Sequence, residues 1–150
     1  MFAVARQTGA GMVLMRGGGS AWWTRKLQPV DVEMAGMYLA ERVAAAEVAG
    51  IARESLVIDP GIGFTNGAEE DAALLRAVGT LAKIAPVMVG VSRKRFIGKF
   101  SGEAEPSQRL GGSLAAALFA VSRGARILRV HDVAATVQAL KVWEGLSHGG

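Results

Sequence analysis

The sequence predicts an α/β fold built from parallel βα repeats, and three observations carry that expectation. Short apolar runs alternate with segments of helical periodicity along the whole chain, the pattern of strands joined by helical crossovers. One of these runs, Pro86-Val87-Met88-Val89-Gly90-Val91, has no polar alternation, as suits a strand covered on both faces. Each polar cluster falls directly after a strand, at residues 16–20, 59–64, 92–95 and 129–132. In barrels and open α/β sheets alike, that carboxyl edge is where ligands bind. Four strands with four following helices make half the inventory of an eight-stranded (β/α) barrel, which takes ~250 residues. With no internal linker or low-complexity block in 150 residues, a single domain over 1–150 is expected.

Each element has a local reason. Residues 1–8 read as the tail of a helix stopped by Gly9 and Gly11, leading into a strand at Met12-Val13-Leu14-Met15. A loop over 16–28 follows, with three consecutive glycines, Trp22, Trp23 and three basic residues. Pro29 and Asp31 open the next helix, Asp31 as N-cap, and Val32, Gly36, Leu39, Val43 and Ala46 recur at three or four to mark its buried stripe. Gly50 ends it. Leu56-Val57-Ile58 is a strand because Asp59-Pro60-Gly61 bounds it, and Pro60 followed by glycine continues neither strand nor helix. Asn66 caps the following helix with Glu69 in a loose capping box, and Leu74, Leu75, Val78 and Leu81 pack inward. The third strand, 86–91, empties into Ser92-Arg93-Lys94-Arg95 and then a charged, glycine-containing loop. Pro106 and Ser107 start a helix carrying Leu110, Leu114, Ala117, Leu118 and Val121, which ends near Gly124. Residues 125–130 form the fourth strand, Asp132 caps a last helix through Val133, Val137, Leu140 and Trp143, and 147–150 read as a frayed tail.

Composition bounds the chemistry. At 51% hydrophobic residues the chain has material for a full core. Its longest nearly apolar stretch, 111–122 between Arg109 and Arg123, falls short of the ~20 residues a membrane span needs and reads as a buried helix. The start Met1-Phe2-Ala3-Val4-Ala5-Arg6 lacks the basic-then-apolar order of a secretory signal, and the absence of cysteine removes disulfide and thiol chemistry. The expected setting is the cytoplasm, with no membrane contact. Net charge is +4, yet the basic residues are scattered and Trp22, Trp23 and Trp143 do not interleave with them. An anionic small substrate is therefore expected rather than nucleic acid.

Several residues stand out, each with two readings. Asp59 either closes its own Asx-type turn over the following glycines or serves as a rim acceptor for the donors of a ligand. One position earlier its charge would be buried unpaired, at several kcal/mol. Arg93, Lys94 and Arg95 are either solvated surface charge or an anion site, and the strand directly before them with the adjoining glycines favours the latter. Arg129 and His131 are two apart on a strand and so leave one face, a pairing that suits an anionic leaving group. His131 has no second histidine or carboxylate at ligand spacing, so no metal ligand is expected. Ser92 has no evident base partner, which argues against a serine triad. Trp22 and Trp23 either stack on a flat ligand or cover the neighbouring helix.

The chain resembles the dihydropteroate synthase family, of the pterin-binding (β/α)-barrel superfamily. Four blocks carry the likeness: Leu14-Met15, Asp59-Pro60-Gly61-Ile62-Gly63-Phe64, Gly90-Val91-Ser92-Arg93-Lys94 with Phe96-Ile97-Gly98, and Arg129-Val130-His131-Asp132-Val133. Arg109 and Gly112-Ser113 also fit. The resemblance places these blocks at barrel strands five to eight, the C-terminal half of a TIM-type barrel, with the N-terminal half absent. It implies the condensation of 6-hydroxymethyl-7,8-dihydropterin pyrophosphate with p-aminobenzoate in folate biosynthesis, releasing pyrophosphate.

The same resemblance implies the site. Asp59 receives paired N–H donors of the pterin, two parallel bonds to an ionised acceptor. Lys94 bonds the ring's acceptors, Met15 and Gly90 line the ring slot, and Phe64 beside Gly63 borders the p-aminobenzoate side. Arg129 and His131 hold the pyrophosphate, stabilising charge as it leaves. Catalytic roles fall to Lys94, Arg129 and His131, with Ser92, Arg93 and Arg95 added to the substrate-binding set. Mg2+ accompanies the pyrophosphate, and its protein ligand would lie in the absent half. Departures from the family pattern are Arg16 for a histidine, Thr65-Asn66 for Gly-Lys, and Arg95 for the serine that helps hold the p-aminobenzoate carboxylate; an arginine at 95 can pair with a carboxylate from a different position. A half barrel leaves two unpaired edges and an open inner face, so the expectation is a homodimer through the helices around the last strands, or the C-terminal part of a longer product. A catalytically inactive pterin-binding or dimerisation module is the alternative. A pterin-dependent methyltransferase, which has no pyrophosphate to hold, fits the Arg129–His131 block less well.

Overall fold

The structure, a computed structural model, describes residues 1–17 and 32–147. The expected loop beyond Gly17, with Trp22 and Trp23, the Asp31 cap, and the last three residues of the tail lie outside the described residues. Helix α1 (Phe2–Thr8) ends on Gly9, whose φ of 69° lets its N–H turn back to the Ala5 carbonyl. Then follow β1 (Met12–Met15), α2 (Val32–Val48), β2 (Leu56–Asp59), α3 (Ala68–Arg76), α4 (Val78–Leu81), β3 (Met88–Val89), α5 (Arg95–Ser101), α6 (Leu110–Ser122), β4 (Ile127–Leu128) and α7 (Val133–Ser147).

Every strand pairing is parallel. β1 lies beside β2 with Met12 opposite Leu56 and Met15 opposite Asp59, and β3 lies beside β4 with Met88 opposite Ile127. One isolated bridge, Ile58 to Val87, joins the two pairs, closed by the Ile58 N–H donating to the Pro86 carbonyl at 2.9 Å. The parallel βα expectation therefore holds, but two strands are shorter than expected. Ladder pairing covers only 88–89 of the apolar run 86–91, and only 127–128 of 125–130. Val87, Val89 and Val91 are all fully buried, so the run records burial under helices, which outlasts the ladder at both ends.

The alternation of side chains divides the sheet into two faces. Met12, Leu14, Leu56, Ile58, Val87 and Val89 turn toward the helices and form the core with Leu39 and Val43 of α2 and Val78 and Leu81 of α4. The opposite face carries Val13, Met15, Asp59 and Ile127, and three of these stay open, Val13 at 47%, Met15 at 41% and Ile127 at 41% exposure. That face leads up to the carboxyl ends of the strands. Because Ile58 is wholly buried at the bridge that joins the strand pairs among the described residues, Ile58→Val is expected to cost about 1 kcal/mol, read as a lower denaturant midpoint with unchanged slope.

Three helix starts differ from expectation. Residues after Arg95, expected as loop, form α5, because Phe96 and Ile97 bury against the core and Phe96 meets Phe100 one turn on at 6.2 Å, edge to face. Pro106 and Ser107 make only a short 3-10 turn capped by Glu105, and α6 begins at Leu110. Gly67, not Asn66, is the N-cap of α3; Glu70, rather than Glu69, reaches back to accept from the Asn66 backbone at 3.1 Å.

Candidate functional site

Asp59 ends β2 at the point where Pro60 and Gly61 stop the strand. Its Oδ1 accepts the Gly61 N–H at 2.8 Å, so the Asx-type turn is present, and Gly61 sits at φ 79°, a backbone region costly for any side chain. The carboxylate is nevertheless poised for more. It is 4% exposed, and no donor stands against Oδ2 among the described residues. Burial pushes its pKa up, opposed by the Gly61 N–H and by the charges of Lys94 and Arg129.

Lys94, the residue that precedes α5 in the loop after β3, reaches across to the same turn. Its Nζ donates to the Ile62 carbonyl and lies 4.4 Å from the centre of the Phe64 ring, a cation–π contact. Its aliphatic stem packs on Gly63, where any side chain would overlap it. Burial and the neighbouring Arg129 push the Lys94 pKa down, while Asp59 and Asp71 pull it back up. Arg129 follows β4, its N–H held by the Val89 carbonyl at 2.9 Å. Its guanidinium lies over Gly90, so close that a methyl there would come within 2.7 Å of it. Met15, Asp59, Gly90 and Arg129 thus share one face at the carboxyl ends of four strands.

Other residues of the expected set have different surroundings. The Arg93 guanidinium is spent on Asp132, with Nε at 3.1 Å and Nη2 at 2.6 Å from its two oxygens, a forked pair that ties the loop after β3 to the loop after β4. That pairing raises the Arg93 pKa and lowers that of Asp132. Arg93 has a φ of 59°, and its N–H donates to Ser113 Oγ at 2.9 Å. Buried Arg109 holds the same loop by donating to the carbonyls of Arg93, Glu103 and Ala104. Ser92, expected to lack a base partner, has one: its Oγ lies 3.1 Å from His131 Nδ1. Arg95 opens α5 with its side chain exposed.

Asp71 escaped the sequence reading, and Arg16, read there only as a departure from the family pattern, has surroundings of its own. Asp71, buried in α3, accepts the Gly63 N–H at 2.5 Å and the Thr65 hydroxyl at 2.9 Å, so it sets the turn on which Lys94 rests. Burial pushes its pKa up against those bonds. A carboxylate eight residues beyond a glycine turn carries no recognisable sequence signal. Arg16 has a buried Nε with no hydrogen-bond partner among the described residues; burial lowers its pKa, opposed by Glu70, Tyr38 and Asp71. Among the described residues no group of three His, Asp or Glu side chains is placed to hold a metal ion.

A recessed carboxylate close to a lysine and an arginine, beside an open sheet face at the strand ends, can accept the N–H donors of a flat ring and hold an anion beside it. In parallel βα proteins the carboxyl ends of the strands are where ligands bind. The chain belongs to the pterin binding enzyme family, whose model matches residues 1–131. It is 43% identical over 150 residues to the dihydropteroate synthase of Neisseria meningitidis serogroup B, covering 95% of this chain and 52% of that protein. To the dihydropteroate synthase of Escherichia coli K12 it is 39% identical over 143 residues, covering 93% and 50%. A solved Xanthomonas albilineans dihydropteroate synthase with 4-aminobenzoic acid superposes with a TM-score of 0.90 at 42% identity, over 98% of this chain and 53% of that one. The same enzyme in complex with 7,8-dihydropteroate gives 0.89 at 40%, over 98% and 53%. The chain spans about half the length of these relatives. No described helix is long and apolar enough to cross a membrane.

Proposed function

We propose that the chain acts in the dihydropteroate synthase reaction, joining p-aminobenzoate to 6-hydroxymethyl-7,8-dihydropterin pyrophosphate. The observation that carries this is the grouping of Asp59 with Lys94 and Arg129 at the carboxyl ends of successive parallel strands. In this reading β1 to β4 correspond to barrel strands five to eight of the family. Asp59 accepts two ring N–H donors; Lys94 leaves the Ile62 carbonyl for the ring's acceptors; Phe64 borders the second substrate, with Arg95 near its carboxylate.

The amine nitrogen of p-aminobenzoate forms a bond to the pterin methylene carbon as the carbon–oxygen bond to pyrophosphate breaks. The bonding pair leaves with pyrophosphate and the amine gives up a proton. Arg129 and His131 place positive charge and N–H donors where the negative charge grows, which lowers the barrier because the charge is oriented before reaction. Mg2+ bound to the pyrophosphate would shield its charge. The reading brings with it a cytoplasmic setting and a homodimer.

Dihydropteroate formed from the two substrates and Mg2+ by the purified chain, followed by chromatography, is the expected result. Pterin binding without product would instead support a pterin-binding module. The open inner face of Val13, Met15 and Ile127 favours that second reading, since nothing among the described residues covers the sheet face beside Asp59.

A further inference from the structure

Ser92 and His131 are 39 residues apart, yet they share two contacts across the ends of β3 and β4. The His131 backbone N–H donates to Ser92 Oγ at 3.3 Å, and Oγ lies 3.1 Å from His131 Nδ1. Ser92 is 6% exposed, so its hydroxyl must satisfy its own donor within the protein. No other partner for that hydroxyl exists among the described residues. If Nδ1 carried the proton, Oγ would accept twice and its hydrogen would be buried without an acceptor. If Nδ1 is bare, Oγ accepts once from the backbone and donates once to the ring, and every group is satisfied.

We infer that Ser92 is a positioning residue that fixes His131 in the tautomer with its proton on Nε2. The ring then presents its N–H donor on the edge away from Ser92, in the segment after β4 that also carries Arg129. This removes Ser92 from the set of residues that touch substrate and gives it a role in aiming one that does. The second nitrogen's bond sets which nitrogen is the donor, as in other histidine sites. An Nδ1–H ring would turn a lone pair toward the anion and repel it. The inference rests, for its consequence, on the reading that His131 meets pyrophosphate; the tautomer itself stands independently.

The experiment is two-part. In the 15N-labelled chain, with spectra followed upward in pH until the ring signals no longer move, His131 is assigned by comparison with His131→Gln. Its ring is expected to show a protonated Nε2 and a bare Nδ1 displaced in frequency by an accepted hydrogen bond. Ser92→Ala should abolish that displacement and mix the tautomers, while Ser92→Thr, which keeps a hydroxyl, should retain it. A protonated Nδ1 in the natural chain, or the same displacement in Ser92→Ala, overturns the inference, and the natural-chain spectrum decides even if Ser92→Ala fails to fold. Inorganic pyrophosphate is then titrated, with a several-fold loss of affinity expected for Ser92→Ala and recovery in Ser92→Thr. Equal affinity in Ser92→Ala overturns the aiming role. Absence of pyrophosphate binding by the natural chain overturns the functional reading while leaving the tautomer result to stand or fall by its spectrum.

Discussion

Asp59→Asn is expected to weaken dihydropterin binding by ~100-fold or more while leaving the empty chain no less stable at pH 7. The loss follows from the ligand geometry. Asp59 offers an ionised oxygen pair to two donors, bonds worth roughly 1.5–3 kcal/mol each when one partner is charged, and an asparagine sets an N–H₂ against one of them. About 3 kcal/mol lost is a hundredfold in affinity. The stability half follows from burial. The folded chain holds the Asp59 pKa above its ordinary value, chiefly by desolvation, so the native state binds this proton more tightly than the unfolded one. Its favourable contribution is full below the unfolded pKa and is lost as pH rises through the folded pKa. At pH 7 the ionised side chain is therefore a standing cost that the neutral amide of the variant does not bear, and that amide can still accept the Gly61 N–H. Melting curves should show the variant level with or above the natural chain at pH 7, with that advantage shrinking as the pH falls through the folded pKa. A variant that melts well below the natural chain at pH 7 would show that Asp59 is a structural turn residue first.

Gly61→Ala carries the largest expected structural effect, about 3–4 kcal/mol of lost stability. Two costs add. Gly61 has φ 79°, a region that charges an L-residue roughly 1–2 kcal/mol. A β-carbon there would also overlap the Arg16 carbonyl, which cannot withdraw freely because the Arg16 N–H is held by the Asp59 carbonyl at 3.0 Å. Urea unfolding reads the loss directly. Gly111→Ala serves as the control, since a β-carbon there meets nothing within 4 Å and helix propensity favours alanine.

Much of this site was legible because its parts sit beside strong punctuation. Asp59 follows a buried strand and precedes Pro60 and two glycines, so both its place at the sheet edge and its turn could be read from residue types. Lys94 and Arg129 were legible for the same reason, each following an apolar run. Helix α5 was not, because Arg95 and Lys99 interrupt its apolar residues, and only the Phe96–Phe100 spacing and the C-capping Gly102 hint at it. The two longest-range side-chain hydrogen-bonded pairs among the described residues were the least legible. Arg93 reads as an anion ligand in a basic triplet, but Asp132 takes its guanidinium from 39 residues away. Ser92 reads as unpartnered until β4 brings His131 beside it. Nothing in a linear pattern encodes a pairing between neighbouring strand ends, which the parallel register alone creates.

Whether the slot above Asp59 receives a pterin ring is tested most directly by a crystal structure of the chain with 6-hydroxymethyl-7,8-dihydropterin. The expected result places two ring nitrogens within hydrogen-bond distance of the Asp59 carboxylate, Met15 and Gly90 against the ring, and the Lys94 ammonium moved from the Ile62 carbonyl to the ring. A pterin bound elsewhere, or one in the slot with Asp59 still bonded only to Gly61 and Lys94 unmoved, would contradict it.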